Sequence, residues 1–282
     1  MLYTNCMDSN DAQTLEEKAG RLRNQGKGYE AVKIYQQAKA AYAAKGDLAQ
    51  IAGCQHMIGV SYKIENDLER ALPAYEQAIK DYEIAGDPLG PGRVQRDVGI
   101  MYEYHDQLDK AESYLLQSKE GLEGLPEDLV VNDMQSRNGE LGITLAKLGL
   151  LSIRLKKLQA AERYLMDGLF LIRKAGHTFY ELTALMHLGS LYFATKHYGR
   201  MIANLEAALG LLYEHNLQHE QTRRLAQIWG QLAHGYLHHA NHTTARYYAE
   251  KAFAVIAGLS ASAQGPIKKD IDFDTLKREL SL

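Results

Sequence analysis

Along most of the chain, apolar and polar residues recur with the period of a helix and not with the alternation of a strand. Positions i, i+3, i+4 and i+7 are apolar or small, and each such stretch ends in a short polar break such as Glu65-Asn66-Asp67 before a second helix-spaced set begins. The pattern predicts helical hairpins. No stretch alternates convincingly as a strand. Five prolines in a background of Ala, Leu, Glu, Lys and Gln leave helix as the local preference nearly everywhere.

The hairpins repeat. Ile58-Gly59-x-x-Tyr62, followed by Ala71, Tyr75 and Ala78, returns as Val98-Gly99-x-x-Tyr102, followed by Ala111, Leu115 and Ser118. One step back stands Ala19-x-x-Leu22 with Ala31, Tyr35 and Ala38. Forward steps give Leu148-Gly149 with Ala161 and Leu165, then Leu188-Gly189-x-x-Tyr192 with Met201, Leu205 and Ala208. The sixth and most degenerate unit runs Trp229-x-x-Leu232-Ala233-x-x-Tyr236, then Ala245, Ala249 and Ala252. A small residue in the first helix and another at the start of the second remove bulk where the two helices cross. The Tyr or Leu that follows each one fills the space around that contact. This is where 18 Tyr go, against 5 Phe and 1 Trp.

The arrangement resembles the tetratricopeptide repeat (TPR) family, whose unit is a pair of antiparallel helices with a W/L, L, G/A, Y, then A, Y/F, A pattern. The resemblance implies an all-α fold, a right-handed superhelical solenoid of stacked antiparallel helix pairs. The family's basic unit is 34 residues. Here the small packing residues stand at 19, 59, 99, 149, 189 and 233, spacings of 40, 40, 50, 40 and 44, so the helices must be longer. Extended hairpins of this kind look like those of kinesin light chains, animal cell-polarity adaptors and bacterial peptide-sensing regulators. Ala44-Lys45-Gly46-Asp47 and Ala85-Gly86-Asp87 read as a glycine stop followed by an aspartate cap.

This reading divides the chain into a lead over 1–10, six hairpins over 11–258, a linker over 259–271 and a terminal helix over 272–282. Ile271, Phe273, Leu276 and Leu280 would give that helix an apolar side, with which it covers the last hairpin. The alternative is a tail that occupies the groove. Ten extra residues between units three and four, Gly124 to Asp133, call for a longer turn or an extended helix. Glu127, Asp128 and Asp133 mark a weaker candidate contact edge there.

Composition narrows the function. Of 282 residues, 46% are apolar and 24% charged, an ordinary globular balance. Lys+Arg number 32 against Asp+Glu 35, which gives no global attraction for nucleic acid or an anionic membrane. The first residues lack a basic region followed by an apolar run, and the most apolar segment, Gly139 to Leu155, is interrupted by Glu140, Lys147 and Arg154. The expected location is cytoplasmic, without membrane insertion. Only Cys6 and Cys54 could form a disulfide, so two unpaired thiols are expected.

Chemistry is sparse. His234 and His238, like His215 and His219, sit at i and i+4, a spacing that can grip a metal, but no further ligands or His-Glu-x-x-His motif accompany them. Gly86-x-x-x-Gly90-x-Gly92 lacks the strand and the Gly-Lys-Ser/Thr end of a phosphate loop. Ser61, Ser152 and Ser190 fall in helix interiors, away from any strand-to-helix elbow. No catalytic role, cofactor or metal is assigned.

What remains is binding. Stacked hairpins line a concave surface with their first helices, and the family's inner stripe, counted from the small packing residue, selects the candidates. Unit two supplies His56 and Lys63, unit three Arg93, Arg96, Glu103 and Tyr104, and unit four Arg154, with Arg137 and Asn138 at the extended start of its first helix. Units five and six supply Met186, Phe193, His234 and His238, with Arg223 and Arg224 ahead of them. This lining, basic in the middle with aromatic patches, suits an acidic or amphipathic segment of another protein. The alternative use of the arginines is to neutralise neighbours such as Glu103 and Glu140. Members of the family that bind chaperone tails carry a Lys/Asn clamp, and the corresponding places here hold Met57, Asp97 and Lys147. Two readings follow: a scaffold holding a peptide segment or helix of a partner, or a switch whose superhelix changes when a peptide or metabolite binds. Oligomeric state is left open.

Overall fold

A computed structural model describes residues 11–132, 135–217, 221–259 and 271–281. The lead over 1–10, with Cys6, most of the linker, Asp133 and His219 lie outside the described residues. The chain forms two compact units, Met1–Thr144 and Leu145–Leu282.

Unit one contains α1 (Ala12–Asn24), α2 (Gly28–Lys45), α3 (Leu48–Ile64), α4 (Leu68–Ala85), α5 (Gly90–Tyr104), α6 (Leu108–Glu123) and the start of α7 (Arg137–Arg154). Unit two contains the rest of α7, then α8 (Leu158–Lys174), α9 (Thr178–Ala194), α10 (Tyr198–Glu214), α11 (Thr222–His238), α12 (His242–Ala257) and α13 (Phe273–Leu280). Adjacent helices pack pairwise, the all-α fold class of stacked antiparallel hairpins.

The turns explain why each helix stops where it does. Within the hairpins one residue adopts the left-handed conformation: Gly26, Asn66, Asp106, Lys156, Lys196 and Ala240. Gly46, Gly86, Gly176 and Asn216 do the same between hairpins. A left-handed residue closes the last helical turn and redirects the chain. Asp47, Asp67 and Asn241 then accept a hydrogen bond from the backbone N–H three residues on, capping α3, α4 and α12.

Inside each hairpin the small residues set the crossing distance. A Cβ on Gly59 would lie 2.7 Å from the Tyr75 ring, one on Gly99 2.8 Å from Leu115 Cγ, and one on Gly149 2.5 Å from Leu165 Cγ. Facing them, Ala31, Ala71, Ala111, Ala161, Met201 and Ala245 are fully buried. So are the residues four further on, Tyr35, Tyr75, Leu115, Leu165, Leu205 and Ala249. Each large side chain in that column contributes about 1.5–3 kcal/mol by leaving water. Gly90 and Gly92 serve packing too, against Tyr82 and Leu122.

The insertion departs from the expected turn or extended helix. Val130–Asn132 (β1) and Gln135–Ser136 (β2) pair antiparallel. Pro126 lacks an amide hydrogen to prolong α6, and the β-branched pair Val130-Val131 favours extended backbone. Arg137 closes the excursion by donating from Nε to the Leu122 carbonyl at 3.1 Å and from Nη2 to that of Glu123 at 3.4 Å, covering the end of α6.

After α12, the tail helix α13 buries Phe273, Leu276 and Leu280, with Ile271 just ahead of it. Ile271 and Phe273 lie where a side chain at Gly230 of α11 would be, and the Phe273 ring centre is 5.1 Å from that of Phe253 on α12. Asp272 caps α13 through the Thr275 amide at 3.0 Å. Arg246 donates to the Leu280 carbonyl.

Candidate functional site

Almost all the candidate residues lie on the first helices of the hairpins, but the two units treat them differently. In unit one the charges are compensated within the chain. His56 Nε2 lies 2.9 Å from Asp97 Oδ2, and Lys63 Nζ donates to Asp97 Oδ1 at 3.1 Å. The buried His56 ring packs edge-on against Tyr75 and Tyr82. Burial alone would raise the Asp97 carboxyl, but Lys63, His56 and Arg96 outweigh it and hold it well below the usual carboxylate range.

Arg96, itself buried, donates from Nη1 to Glu140 Oε2 at 2.5 Å. Arg93 donates to Asp87 Oδ2 at 2.5 Å and lies over the Tyr82 ring, while Asp87 Oδ1 accepts from the Leu89 and Gly90 amides. Arg137 is turned onto the end of α6 and onto Asn138, which is buried. Glu103 is half-buried. Tyr104 is 76% exposed and edge-on to His105.

Unit two instead holds a half-open cavity of about 980 Å³. Lys147 and Leu150 of α7 line it, together with Thr183, Met186, His187, Ser190 and Phe193 of α9 and Met201 of α10. Arg224, Gln227, Gln231 and His234 of α11 form another wall, and Ile271 and Asp272 ahead of α13 complete it. Gln231 Nε2 donates to Ser190 Oγ at 3.1 Å. Gln231 Oε1 and His234 Nε2 are buried with no hydrogen-bond partner among the described residues.

Its charged lining residues are Lys147, Arg224 and Asp272, with the imidazoles of His187 and His234 beside them. Burial, then Lys147 and Arg224, push the His187 imidazole down to about 3. Arg224 is itself lowered, by burial and by Arg223. Its guanidinium lies 4.4 Å from the Phe179 ring centre and donates to Gln221. His234 is lowered by burial, although a hydrogen bond to the Asp272 backbone and the Asp272 charge work the other way.

The structure therefore brings Met186, Phe193 and His234 together around one volume. His238 stands beside them, its ring stacked on Tyr198 at 4.2 Å and 6.4 Å from Phe193. Arg223 is exposed and does not line the cavity although Arg224 does, and Arg154 is exposed at the end of α7. Counting along the inner stripe missed Lys147, His187 and Gln231. All three stand two residues before the small packing residue, the same place in their units as Met57 and Asp97. That register was the available signal. Among the described residues, no three His, Cys, Asp or Glu side chains group as a metal site. Cys54 is buried and unpaired, its thiol pushed up to about 12 by burial. No helix among the described residues is long and apolar enough to cross a membrane.

Known proteins place the fold. The sequence profile of the soluble NSF attachment protein family, SNAP, matches residues 1–111, less than half of the chain. No curated protein sequence matches it. BtubC (BKLC) from P. vanneervenii is similar in structure, with a TM-score of 0.66 and 16% identity over 88% of this chain and 91% of that one. The APC/C hetero-tetramer Cut9-Hcn1 gives 0.63 and 18%, over 94% of this chain but 44% of that one. A Rap protein complexed with competence and sporulation factor gives 0.62 and 11%, over 96% and 76%.

Proposed function

From a fold of tetratricopeptide-type helical hairpins, we propose that this chain is a non-catalytic interaction scaffold that binds a peptide segment or helix of a partner protein on its first-helix faces. The observation that carries the reading is the set of exposed aromatic side chains on those faces, Tyr104 in unit one and Phe193 in unit two. Exposed aromatics of this kind are the side chains that most often anchor a partner. Two similar structures, the Cut9-Hcn1 assembly and the Rap protein with its bound factor, are complexes. That likeness supports the class of activity and leaves the partner to chemistry: a segment with an acidic or amphipathic face, met by aromatic rings and by the histidines near Phe193.

The charge-compensated arginines make poor probes. Replacing Arg93 and Arg96 by Glu would set carboxylates against Asp87 and Glu140 and loosen unit one itself. The test is affinity capture from the source organism's extract with the full chain, followed by titration of the captured protein against Tyr104→Ala and Phe193→Ala. At least one of these weakens binding roughly tenfold or more, as loss of an aromatic anchor does, with helical circular dichroism unchanged. Unaltered affinity in both variants would remove these faces from the interaction.

A further inference from the structure

Two side chains on the α11 wall of the unit-two cavity carry acceptors that no donor among the described residues reaches. Ser190 donates its hydroxyl proton to the Met186 carbonyl at 3.2 Å, so its oxygen takes a hydrogen from the Gln231 amide at 3.1 Å. That bond sets the orientation of the amide and leaves Gln231 Oε1 buried without a partner among the described residues. The hydrogen bond between the His234 ring and the Asp272 backbone favours the protonated ring, so the ring is the donor in it. His234 Nε2 makes no hydrogen bond among the described residues, which assigns that donor to Nδ1 and makes Nε2 of the neutral ring an acceptor. His234 is 6% exposed. The two residues stand three apart on one face of α11, and both line the cavity. A buried acceptor left without a donor is costly, and a ligand that supplies the donor relieves it.

We infer that this cavity binds a small primary carboxamide, whose two N–H groups go to Gln231 Oε1 and His234 Nε2 and whose apolar body lies against Phe193, Met186 and Met201. The nitrogen of a primary amide carries two hydrogens, one for each acceptor. A carboxylate brings none. An ammonium would bring hydrogens, but burial, ahead of Lys147 and Arg224, already pushes the His187 imidazole of this lining down to about 3. The same desolvation acts against a cation that enters from water. The half-open cavity of about 980 Å³ has room for a whole small molecule, and Leu150 and Ile271 extend its apolar wall. The site lies within one unit, and its occupancy does not depend on the partner-binding reading above.

The test is calorimetric titration of the full chain with 3-phenylpropionamide and with straight-chain primary amides of graded length. Each is compared with its N-methyl amide, its N,N-dimethyl amide, its carboxylate and the amine of the same length. At least one primary amide binds saturably and its N-methyl amide binds more weakly. The dimethyl amide and the carboxylate bind roughly tenfold more weakly than the primary amide or not at all, the loss expected when buried polar groups of a site are left unpaired. His234→Phe and Gln231→Leu each remove one acceptor, and in each the primary amide loses most of its advantage over the N-methyl amide. Arg163→Gln, outside the cavity, keeps that advantage. A folding defect would weaken the two amides alike, so their ratio reports the acceptors and not the packing. Absence of any saturable primary amide, equal or tighter binding of the dimethyl amide, the carboxylate or the amine, or an advantage retained in both His234→Phe and Gln231→Leu would each overturn the assignment.

Discussion

Gly99 shows how a single residue fixes the crossing of two helices. Its missing Cβ would stand 2.8 Å from Leu115 Cγ and 3.1 Å from the Ala111 carbonyl oxygen. Gly99→Leu therefore forces α5 and α6 apart and lowers the stability of the chain by at least about 1–3 kcal/mol, the usual cost of overpacking. Urea unfolding followed by circular dichroism measures it, and a neutral result would count against the assigned repeat register. His187 adds a pH dependence of opposite origin to that of an ion pair. Its folded imidazole titrates near 3, below its ordinary value of 6.5, so below about pH 6.5 the unfolded chain binds more protons than the folded one, and stability falls as pH drops toward 3. By pH 5 this amounts to up to about 2 kcal/mol. His187→Gln should flatten that part of the melting-temperature profile between pH 7 and 5, and an identical slope in the variant would show that other groups carry it.

The polar breaks between helices were legible in the sequence because each had to contain a residue able to turn left-handed. Glu65-Asn66-Asp67 is the clearest, with Asn66 at φ 60°. Lys156, at φ 59°, occupies the same place without glycine's freedom, and for such a residue the left-handed region costs roughly 1–2 kcal/mol. Lys156→Gly should therefore raise stability by about 0.5–1 kcal/mol after the extra flexibility of the unfolded chain is counted. Differential scanning calorimetry checks it, and a lowered melting temperature would mean that the lysine stem contributes packing that outweighs the strain. The β1–β2 hairpin was not legible. Val130 to Ser136 is too short for an alternating pattern to stand out, it has no counterpart in the other repeats, and its Val130 and Val131 side chains are exposed, so no buried face marks it as a strand.

For the molecule as a whole, repetition revealed the hairpins, while the cavity stayed hidden, and the reason is geometric. A repeat is written in residues of one small stretch of chain, but the cavity wall is assembled from Lys147, His187, Gln231 and Asp272, four residues on four elements. Periodicity picked out Met186, Phe193 and His234 because they share the inner stripe, and passed over their neighbours one register away. For the basic stripe of unit one the sequence left two uses open, and the pairing of Arg96 with Glu140, 44 residues away, is the neutralising one. At the same scale, a chain ending at residue 270 loses the cover that Phe273, Leu276 and Leu280 give the last hairpin. Such a chain should self-associate, visible as increased light scattering and a lower melting temperature. A monodisperse product of unchanged stability would show that α13 covers nothing essential.

The segment ahead of α13 belongs to two structures at once. Ile271 packs against Gly230 while it also walls the cavity, and Asp272 caps α13 through Thr275 while its carboxylate joins the cavity's charges. Molecules that enter the cavity bear on the same two residues that seat the terminal helix, so the two equilibria are linked and must influence each other equally. Amide hydrogen exchange along Phe273–Leu280 should then slow when the cavity fills, which makes the tail a built-in reporter of occupancy.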